Sequence, residues 1–206
     1  RLYKWKKWKK WRKIEKKITS KTRGIIAVDI FGQCADYDEI NAIAKKHNLF
    51  VIEDAAQSFG AEYKGRKACS LAEVACTSFF PAKPLGCYGD GGMVLTDRTE
   101  IADAISSLRV HGKGKDKYDH ARIGLNARMD TLQAAVVLAK FNHFQQEIEM
   151  RQKVAAYYTE KLQEHVVVPK VLTYNRSVFA QYSIRVKDRS ALQKKLAESG
   201  IPTAIH

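Results

Sequence analysis

The sequence predicts an α/β fold: a mixed, mostly parallel sheet flanked by helices, followed by the start of a small α+β domain. Three observations carry this. GIIAVDI (Gly24 to Ile30) and LFVIEDAA (Leu49 to Ala56) are continuous apolar runs, the pattern of strands buried on both faces. Between them lies a segment of helical period, so strand, turn, helix and strand follow one another as a right-handed βαβ unit. Two further strand-like runs, Val74 to Phe80 and Gly91 to Thr96, precede three more helical patterns.

Taken in order, FGQCAD makes the first turn, and Tyr37 to His47 reads as a helix with Ile40 and Ile43 inward. A helix from Thr99 to Arg109 carries Ile101, Ile105 and Leu108 on one face. The polar stretch HGKGKDKYDHARIG is long enough to be functional or to reach a neighbour. Asp130 stands at an N-cap ahead of TLQAAVVLAKFNHF, a pattern that continues to about Glu164 and is expected to break or bend. VVVP, VFAQYSIRV and the helix in DRSALQKKLAESG begin the second unit. The expected division is a leader at 1–13, a large domain at 14–145, and a connecting helix with an incomplete small domain at 146–206.

The chain has 206 residues, 45% hydrophobic and 28% charged, enough for one ordinary core. Residues 1–17 hold ten Lys or Arg against one Glu, which is +9 of the net +14 and leaves +5 for residues 18–206. The leader RLYKWKKWKKWRK repeats Trp5, Trp8 and Trp11 every third residue, a period that makes no clean helical stripe. Lysine interleaved with tryptophan suits an anionic membrane or single-stranded nucleic acid. A non-enzymatic domain whose leader makes such contacts is therefore the rival reading. A non-native leader is the preferred one, because nothing later in the chain reads as a nucleic-acid binder. No apolar run is long enough to span a bilayer, and the first residues lack the apolar core of a signal peptide. Four cysteines, at 34, 69, 76 and 87, show neither CxxC nor Cys/His metal spacing. A reduced, cytoplasmic protein without a metal site is the expectation.

Chemistry concentrates at CTSFFPAKPLGCYGDGG (Cys76 to Gly92), where Lys83 stands between Pro81 and Pro84. Prolines stiffen this turn, and Gly86, Gly89, Gly91 and Gly92 allow the backbone to fold tightly behind it. A lysine on a rigid strand-end loop, with Ser78 nearby, suits Schiff-base chemistry; the plainer alternative is a surface lysine in a glycine-rich turn. VIEDAAQ places Asp54 at the carboxyl end of a central strand, where open α/β sheets bind ligands. A metal would want a second ligand on the same face, whereas the adjacent Glu53 points to the opposite one. A dinucleotide would want GxGxxG, which FGQCAD does not supply. An aspartate paired with a pyridine nitrogen goes naturally with Lys83 and Ser78, and Gln57 can lie across the ring.

On these residues the chain resembles the sugar aminotransferases of the DegT/DnrJ/EryC1/StrS family, fold-type I enzymes that use pyridoxal 5′-phosphate (PLP). The carrying motifs are ITSKTRGIIAVDIFGQCADYDEI, VIEDAAQSFGAEYKG, ACTSFFPAKPLGCYGDGGMVLT, LRVHG, GLNARMDTLQAA and GIPTAIH, collinear from about Ile14 to His206. The resemblance implies an aspartate-aminotransferase-like large domain and amino transfer from glutamate to a nucleotide-linked keto sugar. It is nearest to the subgroup that aminates UDP-2-acetamido-2-deoxy-3-oxo-hexuronic acid for bacterial surface polysaccharide such as O-antigen. It implies that Lys83 is the Schiff-base lysine and proton shuttle, that Asp54 binds the pyridinium nitrogen, and that Gln57 covers the ring. Ser78 would bind the phosphate. In a homodimer, Asn126 would reach the partner's phosphate site and Arg128 its substrate, while His206 would lie beside the sugar. A family branch of pyridoxamine-dependent dehydratases carries histidine in place of the lysine, so Lys83 argues for aminotransfer. Family members begin well upstream and continue past His206, so the sequence reads as truncated at both ends. The missing front would supply a helix N-terminus for the phosphate, and the chain alone is expected to transaminate little.

Overall fold

The computed structural model describes residues 13–116 and 118–205. The leader up to residue 12 and His206 therefore lie outside the described residues. Strand β1 (Gly24–Val28) leads through a turn into helix α1 (Tyr37–Lys46) and back to β2 (Phe50–Asp54), which pairs parallel with β1. Acidic Asp38 and Glu39 in the first turn of α1, and Lys45 and Lys46 in the last, complement its dipole. The helix buries Tyr37, Ile40, Ile43 and Ala44. A hairpin follows, β3 (Glu62–Tyr63) and β4 (Arg66–Lys67), closed by Lys64 and Gly65. Both have positive φ, 50° and 77°, which the primed turns of two-residue hairpins require.

Strand β5 (Val74–Ser78) adds parallel to β2, and β6 (Gly92–Leu95) adds antiparallel to β5, giving the order β1-β2-β5-β6. The sheet is thus mixed and mostly parallel. Helix α2 (Thr99–Leu108) and a long polar loop lead to α3 (Thr131–Leu162). The break expected in α3 does not occur: its 32 residues form one helix, and the segment contains no proline or glycine that would interrupt it. Asp130 occupies the N-cap position, but its carboxylate makes no capping bond.

The run expected to open the second unit turns back into the first. Strand β7 (Asn175–Arg176) pairs antiparallel with β3, and Val178 is fully buried in the main core. The Gly32 carbonyl accepts from the Val178 N–H and the Ser177 hydroxyl, both at 2.9 Å. Gly32 has φ of 93°, and an added Cβ would meet the Ala180 nitrogen at 2.8 Å, so no larger residue fits this crossing. Beyond it lies α4 (Arg189–Glu198), capped by Asp188 accepting from the Ala191 N–H at 2.9 Å.

The core sits on one side of the sheet. Ala27, Val51 and Phe79 meet Tyr37, Ile40 and Ala44 of α1, and Phe144 and Ile148 of α3. Phe59 bridges edge-on to Phe79, with centroids 5.9 Å apart, and tilted to Phe144 at 5.8 Å. Side chains alternate along a strand, so Ile26, Val28, Phe50 and Asp54 face the other way. That face is open: Ile26 is 66% exposed, and Val28 and Phe50 are each 49% exposed.

Candidate active site

The open face carries Asp54 and Ser78 at the carboxyl ends of β2 and β5, and Gln57 and Lys83 follow on the turns after those strands. Asp54 is half-buried, and its Oδ1 accepts from the Ala56 N–H at 3.1 Å. That bond shapes the turn after β2 and leaves Oδ2 without a partner among the described residues. Across the ladder, Asp54 pairs in register with Cys76, and Ser78 follows two residues later on the same face. The Ser78 Oγ accepts from the Phe80 N–H at 3.2 Å, so its own proton remains free for an acceptor. Gln57 lies at the end of the β2 turn, its Oε1 accepting from the Phe31 N–H at 2.7 Å.

Lys83 is half-buried on a loop whose backbone is tied down on both sides. Its N–H donates to the Phe80 carbonyl at 2.9 Å, the Cys87 N–H to Phe79 at 2.7 Å, and the Phe79 N–H to Gly91 at 2.8 Å. The Cys87 thiol reinforces the closure by donating to the Phe79 carbonyl at 2.9 Å. A Cβ on Gly86 would sit 2.6 Å from the Pro81 carbonyl, so the tight fold behind Lys83 depends on glycine there. Cys76 is not a competing nucleophile: burial and then the Asp54 carboxylate push its thiol up, which keeps it protonated.

Support for these turns lies on the opposite face and was not anticipated. Asp29 is fully buried and accepts from the Ala35 N–H at 2.8 Å, the Tyr37 hydroxyl at 2.9 Å and the Ser58 hydroxyl at 2.8 Å. Its own N–H donates to the Asp54 carbonyl at 3.1 Å. One carboxylate thus joins the turn after β1 to the turn after β2, where Gln57 sits. Glu53, also fully buried, accepts from the N–H groups of Cys69 at 2.6 Å and Leu71 at 2.9 Å. Burial, with Asp29 adding to it, pushes the Glu53 carboxyl up to about 7. Burial likewise raises Asp29, against the pull of its donors. The signal was present in the sequence, since both acids end apolar strands.

Asn126 and Arg128 lie apart on the loop before α3. Both are exposed, and the Arg128 Nε donates to the Asn126 Oδ1 at 3.2 Å. Among the described residues no hydrogen bond joins this pair to the other four, and no ion pair joins Arg128 to Asp130. No group of three or more His, Cys, Asp or Glu side chains among the described residues could hold a metal. No helix of the described residues is long and apolar enough to cross a membrane.

Residues 9–206 match the model of the DegT/DnrJ/EryC1/StrS aminotransferase family. The chain belongs to that family. It is 52% identical over 194 residues to the UDP-2-acetamido-2-deoxy-3-oxo-D-glucuronate aminotransferase of Pseudomonas aeruginosa, covering 94% of this chain and 54% of that protein. The crystal structure of a family aminotransferase from Brucella abortus superposes with a TM-score of 0.87 at 46% identity, over 93% of this chain and 51% of that one. The NtdA structure from Bacillus subtilis, with bound cofactor PMP, gives 0.83 at 29% identity, over 92% and 44%. The chain thus spans about half the length of the relatives it matches.

Proposed function

We propose that the protein is a PLP-dependent nucleotide-sugar aminotransferase that moves an amino group from glutamate to a UDP-2-acetamido-2-deoxy-3-oxo-hexuronate. The observation that carries this reading is Lys83 on a tied-down loop one strand from Asp54, in a chain of an aminotransferase family. The donor set fits PLP: a carboxylate with a free oxygen, a hydroxyl with a free proton, an amide fixed by a backbone donor, and a half-buried amine.

When bound, PLP supplies an aldehyde carbon to carry the amine and a ring that accepts electrons. The chain's residues do the rest. Asp54 would offer Oδ2 to the ring nitrogen and keep a proton there. Ser78 donates to a phosphate oxygen. Gln57, its carbonyl end occupied by the Phe31 N–H, would pack against the ring. The Lys83 Nζ would be the amine that holds the cofactor and the base that moves the substrate's proton. Over the full cycle glutamate is oxidised to its 2-oxo acid and the keto carbon of the sugar is reduced to an amine, so electrons balance. Residues 14–145 form most of the cofactor-binding part, Ile148 and Val178 completing its core, and the smaller part begins within 146–206. In a cytoplasmic homodimer, Asn126 would reach the partner's phosphate site and Arg128 its substrate carboxylate. Arginine's planar fork suits that carboxylate.

The test is mass spectrometry of the sugar after incubating the whole protein with PLP, glutamate and the 3-oxo substrate. The aminated product is expected from the wild type and not from Lys83→Ala. Equal product from both would overturn the assignment. Arg128→Lys should weaken turnover of the uronate much more than that of the neutral hexose analogue.

A further inference from the structure

Helix α3 grips the Lys83 loop from behind with two long polar side chains. The half-buried Lys140 donates from Nζ to the Gly86 carbonyl at 2.5 Å, and the same ammonium lies 6.0 Å from the Tyr88 ring centroid. Gln133 accepts the Tyr88 N–H at 2.8 Å through Oε1, and its Nε2 would be 3.1 Å from a Cβ placed on Gly89. Positions seven apart share one face of an α-helix, so both arms reach out from the same stripe. Between them Val136 and Val137 pack against the core, which fixes the stripe relative to the sheet.

The choice of residue is informative. A half-buried ammonium loses hydration and side-chain freedom, and here its hydrogen bond goes to a carbonyl rather than a carboxylate. Packing alone would be served by methionine, which has nearly the same length and no charge to desolvate. The return is a charge-assisted hydrogen bond to the segment that must be held still, three residues beyond Lys83.

We propose that Lys140, assisted by Gln133, is a positioning residue that holds the 83–89 loop so that the Lys83 amine is presented at the end of β5. The inference rests on the reading of Lys83 as the reactive amine. It adds that the loop's order depends on α3 as well as on its own prolines, glycines and backbone hydrogen bonds.

Two measurements on the full chain test this in Lys140→Met and Lys140→Arg. One is hydrogen–deuterium exchange of the amides from 79 to 90. The other is the rate at which PLP and borohydride label Lys83, located by peptide mapping. Lys140→Met is expected to speed exchange at the Lys83 and Cys87 amides about tenfold, to leave the β2 amides unchanged, and to slow labelling several-fold. Lys140→Arg, which keeps a cationic donor, should recover both. Wild-type exchange and labelling in a folded Lys140→Met chain would overturn the proposal. If Lys140→Met also speeds exchange in β2, the fold itself has loosened and Gln133→Leu decides instead. Faster exchange at Lys83 and Cys87 in that variant supports the clamp, and unchanged exchange there overturns it. Labelling of the wild type away from Lys83 would overturn the underlying reading, while the exchange comparison would still decide whether α3 orders the loop.

Discussion

The two faces of the four-stranded sheet are built to opposite rules. On one, Ala27, Val51, Glu53, Ala75 and Thr77 are buried, Ala27 and Val51 in the core shared with α1 and α3, Ala75 in a small cluster with Ala55 and Cys69, and the acid on backbone donors. On the other, Ile26, Val28, Phe50 and Val94 stand exposed around Asp54, Cys76 and Ser78. The candidate chemistry is on the open face and its support on the closed one. The residue that joins them is Asp29, whose side chain ties the turns from below while its backbone touches Asp54. The turn that carries Gln57 and the strand end that carries Asp54 are thereby coupled through one buried residue.

The largest break in this comparison should come from the closed face. Phe79→Ala removes a ring packed on Phe59 and is expected to cost about 3–5 kcal/mol in urea unfolding, since α1 and α3 prevent collapse into the cavity. A cost under about 1 kcal/mol would mean that the core is less closely packed than its burial indicates.

A sharper distinction is expected in pH. Glu53 holds its proton up to about 7 in the folded state against an ordinary value of 4.5. Between those values the folded chain keeps a proton that the unfolded chain has lost, so this contribution is present at low pH and disappears as pH rises through 7. The fall should approach about 3 kcal/mol at most and be flattened in Glu53→Gln, as read from urea titrations between pH 5 and 8. Asp38 and Glu62 act oppositely. Hydrogen bonds from Lys64 and Lys67 respectively lower their carboxyls, and their smaller, solvent-screened contributions vanish as pH falls. A stability curve that rises steadily through neutrality would contradict the Glu53 assignment.

The smallest effect belongs to the open face. Ile26→Ser is expected to change unfolding free energy by no more than about 0.5 kcal/mol, because the side chain is already exposed. A larger loss would show that another surface covers this face in solution.

What could be read from the residues follows the same division. Continuous apolar runs gave the strands of the main sheet to within two residues, and helical period gave α1, α2 and α4, but the expected burial on both faces of β1 and β2 is not met, since Ile26, Val28 and Phe50 stand exposed. Asp54 and Lys83 stand out as candidates because strand-end acids and a proline-stiffened lysine are local features, and Gln57 and Ser78 are candidates by their nearness to them. The hairpin of β3 and β4 was missed, since two-residue strands leave no period, although Lys64-Gly65 marked the turn. The insertion of Val178 into the first core was hidden because VFAQYSIRV reads equally well as a strand of its own. Lys140 and Gln133 could not be seen at all. Their partners lie 54 and 45 residues away, and nothing in a helical stripe says which carbonyl or amide it meets.

Borohydride trapping tests most directly the proposal that Lys83 holds PLP at the open face. The whole protein is loaded with PLP, reduced and digested, and the phosphopyridoxyl group is located by peptide mapping. It should lie on Lys83 in the wild type, and Lys83→Ala should leave no stoichiometric label. A label on the exposed Lys64 or Lys67 instead, or equal labelling in Lys83→Ala, would contradict it.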